Sequence, residues 1–111
     1  MAFFSKPAYQ TLSPQQIAAM LDADQIHLVD VRESHEWAQG HIPGAIHVPL
    51  SDLASRFSSV PKDKPVVLYC LAGGRSDQAA RWCTSHGFAI EAHMGGGISA
   101  WRMHGLPVVT D

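Results

Sequence analysis

A chain of 111 residues with a formal charge of only −2 and 46% apolar residues is long enough for one hydrophobic core and too apolar to be disordered. No basic run and no interleaving of basic and aromatic residues is present, which excludes an electrostatic nucleic-acid surface, and no apolar run is long enough to span a bilayer. The opening MAFFSKPAYQ lacks a basic stretch followed by a long apolar one, so a secretory leader is not expected and a soluble, cytoplasmic single domain over residues 1–111 is.

TLSPQQIAAML predicts a helix: Ser13 can cap it, Pro14 suits its first turn, and Ile17, Met20 and Leu21 recur at helical spacing. QIHLVDV, residues 25–31, reads as a buried strand with an acid near its carboxyl end. ESHEWAQGHIPGA reads as a brief helix stopped by Gly40, then a turn at Pro43 and Gly44. AIHVPL is another short strand, and SDLASRFSSV a helix capped at or near Ser51 with Leu53 and Phe57 inward. KPVVLYC is the clearest strand and SDQAARWCTSHGF the clearest helix, its apolar side made by Ala79, Ala80, Trp82 and Cys83 and its end by Gly87. AIEAHM predicts a weaker last strand. GGGISAWRMHGLPVV then gives a glycine turn, a short helix around Trp101 and an extended end.

Strands separated by helices imply an α/β fold: a mostly parallel sheet, covered on both faces, with right-handed crossovers. In such sheets ligands collect beyond the carboxyl ends of the strands. That rule places Asp30, Cys70 and the MGGG turn at one rim.

The stretch CLAGGRS, Cys70 to Ser76, carries the chemistry. A thiol reacts as thiolate, and helix N-termini or nearby cations favour that form. The helix expected from Arg75 or Ser76 presents free N–H groups to the loop. Gly73 and Gly74 tolerate positive φ and let successive amides converge on an anion. Arg75 adds a rigid positive fork if it points inward. Ser76 suits a helix cap or a donor to the sulfur, and Asp77 is expected to face solvent. A second reading stays open at this point, because buried cysteines often serve as small hydrophobes and glycines as plain connectors. With only two cysteines, no export signal and a helix between them, free thiols are expected rather than a disulfide.

Three segments together resemble the rhodanese family, thiosulfate sulfurtransferase-like domains of one unit. They are LVDVRESHEWAQGHIPGAIHVPL, VVLYCLAGGRSDQAARWCTSHGF and MGGGISAW, and the likeness runs from about Leu12 to Val109. The resemblance implies a five-stranded, mostly parallel central sheet with helices on both faces. It implies that Cys70 accepts sulfur, that the backbone of Leu71, Ala72, Gly73, Gly74, Arg75 and Ser76 surrounds its persulfide, and that Arg75 holds an anionic donor such as thiosulfate. Acceptors would be cyanide or a thiol, with thioredoxin and glutathione as candidates. It gives Asp30, Arg32, Glu36 and His41 supporting roles around the rim.

Two rivals are weighed against that reading. Cysteine-dependent phosphatases and arsenate reductases use a C-x5-R loop, whereas Cys70 and Arg75 make C-x4-R. The tighter ring suits one sulfur better than a tetrahedral oxyanion. A non-catalytic or sulfur-relay interaction module is the other rival, and the retained Cys70, glycines and Arg75 oppose an inert one. Trp37 and Trp101 are read as core, with pocket edge as the alternative, and Cys83 as core. The seven histidines scatter without ligand spacing, so neither metal nor cofactor is expected.

Overall fold

The computed structural model describes residues 8–111. Five parallel strands form one sheet in the order β1-β5-β4-β2-β3. They are β1 (Gln10–Leu12), β2 (His27–Asp30), β3 (Ile46–His47), β4 (Val66–Tyr69) and β5 (Ala92–Met94). The helices are α1 (Pro14–Asp22), α2 (Ser34–Ala38), α3 (Leu53–Arg56), α4 (Gly74–Ser85) and α5 (Gly97–Met103). Strand β4 is central. It pairs with β2 from His27↔Val66 to Asp30↔Tyr69 and with β5 at Val67↔Ala92 and Leu68↔His93.

The alternation of side chains across a strand divides the core into two layers. On one face Val29, Leu68 and Cys70 pack with Leu53 and Phe57 of the α3 segment and with Ala79, Ala80 and Cys83 of α4. On the other, Leu28, Val67, Tyr69, Ala92 and Met94 pack with Ile17 of α1 and with Ile98 and Trp101 of α5. Parity therefore puts Cys70 on the α4 face. It also puts His93 there, because its neighbours Ala92 and Met94 face the other way.

Ser13 caps α1 as its sequence suggests. Its hydroxyl accepts from the Gln16 amide at 3.2 Å, and its own amide donates to Gln16 Oε1 at 2.9 Å, the reciprocal arrangement of a capping box. Ser51 does not cap the third helix. Residues 50–52 form a 3-10 turn, Asp52 precedes α3, and the Ser51 hydroxyl donates to Glu33 at 2.6 Å. Leu53 and Phe57 do point inward. Strand β1 escapes the sequence pattern, because three mostly exposed edge residues carry no alternation. The extended C-terminal piece pairs antiparallel with the turn after α2, through mutual His41 and Val109 backbone bonds of 2.8 and 2.9 Å.

Candidate active site

The chain leaves β4 at Tyr69, turns through residues 70–73 and enters α4 at Gly74. Gly73 precedes the helix with φ of +112°, a backbone state that side chains other than glycine resist. Gly74 needs no such freedom, since it is already helical. The reversal aims two main-chain donors at the thiol: the Gly73 and Ser76 amides lie 3.1 and 3.2 Å from Cys70 Sγ. Sulfur thus sits over the first turn of a twelve-residue helix, where backbone dipoles and free N–H groups favour negative charge.

The loop is held in that pose from below. Ile98 N–H donates to the Cys70 carbonyl at 2.9 Å, and Ser99 N–H to the Leu71 carbonyl at 3.0 Å. Both carbonyls are thereby drawn down to α5, leaving the upper side of the ring to N–H groups. Gly97 makes this approach possible: a Cβ there would stand 2.4 Å from Leu71 C and O. The glycine turn is a seat for the reactive loop.

Leu71 and Ala72 form the exposed lip of the ring. Cys70 itself is only 1% exposed, with the Gly73 and Ser76 amides directed at its sulfur. Two surface grooves, of about 630 and 640 Å³, lie elsewhere. They border Lys64 to Val66 and Ile26 to His27, at the amino-terminal ends of β4 and β2.

Arg75 does not present a free fork. Its two terminal nitrogens donate to the two carboxylate oxygens of Glu36 at 2.6 and 2.8 Å, which ties α2 to the mouth of the loop. The Arg75 hydrogen bonds draw the Glu36 carboxyl down to about 2 from its ordinary 4.5. A carboxyl depressed in the folded state stabilises the fold above its unfolded value and loses that contribution as pH falls through its folded one. We therefore expect acid unfolding between about pH 4.5 and 2 to be shallower in Glu36→Gln than in the native chain, as read by circular dichroism against pH.

Asp30 and Arg32 are both buried. Arg32 Nη2 donates to Asp30 Oδ2 at 2.8 Å and to the Gly40 carbonyl at 2.7 Å, while the Arg32 amide donates to Asp30 Oδ1 at 2.8 Å. The pair fixes the end of β2 to the turn after α2, and Arg32 lies over the Tyr69 ring, 5.8 Å from its centroid. His41 Nδ1 donates to the Trp37 carbonyl at 3.0 Å. Its bonds run to α2 and the C-terminal strand rather than to the cysteine loop. Trp37 departs from the core reading: it is half-buried and stacks between His41 and His47, at centroid distances of 3.6 and 4.7 Å. Trp101 is core, with its indole N–H donating to the Pro107 carbonyl at 2.8 Å. Cys83 is a free, fully buried thiol whose pKa burial pushes up to about 12. Asp77 does not simply face water, since it accepts the Tyr9 hydroxyl and lies 3.0 Å from Arg81.

Ser76 is not the helix cap. It is the third residue of α4, its hydroxyl 3.5 Å from Cys70 Sγ, 3.2 Å from the Gly73 carbonyl and 2.9 Å from His93 Nδ1. His93 is the site neighbour that sequence reasoning missed. The available signal was strand parity, which puts His93 and Cys70 on one face, but it speaks only once β5 is known to lie beside β4.

Among the described residues no group of histidine, cysteine and acidic side chains is arranged to hold a metal, and no helix is long and apolar enough to cross a membrane.

Comparison with known proteins agrees with this geometry. The Rhodanese-like domain family matches residues 13–104. The chain is 42% identical over 90 residues to a sulfurtransferase of Allochromatium vinosum, covering 81% of this chain and 84% of that one. It is 32% identical over 95 residues to the thiosulfate sulfurtransferase GlpE of Shewanella oneidensis, covering 86% and 94%. A rhodanese-related protein of Thermoplasma volcanium superposes with a TM-score of 0.84 at 28% identity, over 93% of this chain and all of the other.

Proposed function

The chain belongs to the rhodanese-like domain family, and on that premise we propose that it is a thiosulfate sulfurtransferase working through a Cys70 persulfide. The observation that carries the proposal is the pair of amides, from Gly73 and Ser76, within 3.2 Å of Cys70 Sγ. Named sulfurtransferases among the relatives support the reaction class.

In the first half-reaction the Cys70 thiolate attacks the outer sulfur of thiosulfate. The Cys70–sulfur bond forms as the donor's sulfur–sulfur bond breaks, and sulfite leaves with that electron pair. The product is Cys70–S–S⁻. Its terminal charge is what fixed N–H donors stabilise best, because they need no reorganisation as charge arrives. Cyanide or an acceptor thiolate, such as glutathione or thioredoxin, then takes the outer sulfur, and the Cys70 thiolate is restored. This is covalent catalysis in two steps, governed by leaving-group quality and access as in any thiol exchange. Arg75 keeps its fork on Glu36 and serves the site by fixing α2 at the mouth of the loop. Two unbridged thiols suit a reducing compartment such as the cytoplasm.

The test sets two substrates side by side. Purified protein should release sulfite from thiosulfate when cyanide is present and should leave aryl phosphate intact. Phosphate release without sulfite release would replace this reading with the phosphatase one.

A further inference from the structure

Four groups form a hydrogen-bonded line from the turn after β4 to the edge strand β1. Cys70 Sγ at the end of β4 lies 3.5 Å from Ser76 Oγ of α4. Ser76 Oγ lies 2.9 Å from His93 Nδ1 of β5, and His93 Nε2 lies 3.2 Å from Thr11 Oγ1 of β1. Register explains the far end, since Thr11 pairs directly with His93. Ser76 and His93 are both buried, so bulk water does not compete for the bond between them, while Thr11 lies on the exposed edge strand.

We propose that His93 is a positioning residue for Cys70: it orients the Ser76 hydroxyl and accepts the thiol proton through it. The transfer balances. The Cys70 S–H bond breaks and its electron pair stays on sulfur. That proton goes to Ser76 Oγ while the serine's own proton passes to His93 Nδ1. The products are Cys70 thiolate, neutral Ser76 and His93 imidazolium, whose Nε2–H faces Thr11. In the resulting state the serine O–H turns to the sulfur as a third donor beside the Gly73 and Ser76 amides. Before transfer, the serine proton has two acceptors, His93 Nδ1 and the Gly73 carbonyl at 3.2 Å.

The surroundings suit an acceptor that is neutral at rest. Burial lowers the His93 pKa, and the charge of Asp77 opposes that lowering, so the imidazole stands unprotonated and ready near neutral pH. Among the described residues, the titratable and charged groups facing it are these. The Tyr9 ring meets it edge-on at 5.8 Å from the segment before β1. Asp77 of α4 is held by Tyr9 and Arg81, and Cys70 is reached through Ser76. Asp77 favours the imidazolium once it forms, and the two amides favour the sulfur anion.

The experiment is the rate of Cys70 alkylation by iodoacetamide against pH, read by mass at the Cys70 peptide. In His93→Gln and in Ser76→Ala the midpoint should rise by about one pH unit, a roughly tenfold smaller reactive fraction below it. The double variant should rise no further than either single one, because both break one chain. The coupling is reciprocal: the ¹⁵N titration of the His93 imidazole should move when Cys70 is replaced by alanine. A His93→Gln midpoint within about 0.3 unit of the native one, or an imidazole indifferent to Cys70, would overturn the proposal. The idea rests on Cys70 being the reacting thiol but uses no sulfur donor. A chain inert to every donor that still shows the shift would sink the sulfurtransferase reading and keep this one.

Discussion

Replacing Cys70 by serine should lower sulfite release from thiosulfate by at least about a thousandfold while leaving the fold in place. The substitution keeps the size and the hydrogen-bonding position of the side chain, so the Gly73 and Ser76 amides retain an acceptor. What is lost is the nucleophile. A serine hydroxyl stays protonated where a thiol ionises, and oxygen does not attack sulfane sulfur to give a lasting intermediate. Cys83 cannot stand in, because it is fully buried on the core side of α4 and its pKa is pushed up to about 12. Steady-state sulfite release measured beside a thermal melt separates loss of chemistry from loss of structure. Residual turnover near the native rate in a folded Cys70→Ser chain would remove Cys70 from the reaction.

Gly97→Ala should be the most damaging of the conservative glycine changes. Gly97 has φ of +58°, a state that costs other residues on the order of 1–3 kcal/mol. The added Cβ would also stand 2.4 Å from main-chain atoms of Leu71 and 2.5 Å from the Cys70 carbonyl oxygen. Those atoms are backbone, held to α5 by the Ile98 and Ser99 amides, and have nowhere soft to move. Overpacking of this kind adds roughly another 1–3 kcal/mol, so a total near 4 kcal/mol is expected, a fall in Tm of roughly 15 °C or more. Gly74→Ala is the matching control for stability, since its Cβ meets nothing within 4 Å and the position is already helical. A differential melt that ranks the two variants the other way would contradict the seat assigned to Gly97.

The strong periodicities made most of the fold legible. Helices α1 and α4 and strands β2 and β4 announce themselves by caps, apolar spacing and continuous apolar runs. Short pieces did not: β1 is a three-residue edge strand stabilised by its partner β5, not by its own pattern. The cysteine loop was legible because a strand, two glycines and a helix leave the backbone few ways to turn. Which glycine carries the strain was not, and the answer is Gly73 alone. The pairing of Arg75 with Glu36 spans 39 residues, and only tertiary packing decides that the arginine meets a carboxylate before it meets a donor. His93 was hidden for the same reason, since its role depends on sheet order and on Ser76 arriving from another element. The halves of the Trp37 sandwich lie four and ten residues onward, at His41 and His47, and need the turn between them to close.

The central claim is that loop amides hold a sulfur atom on Cys70, and intact-mass spectrometry tests it most directly. After incubation with thiosulfate and removal of excess donor, the native chain should gain the mass of one sulfur, carried on the Cys70 peptide and stripped by cyanide. The same gain persisting in Cys70→Ser, or located on Cys83, would contradict the account.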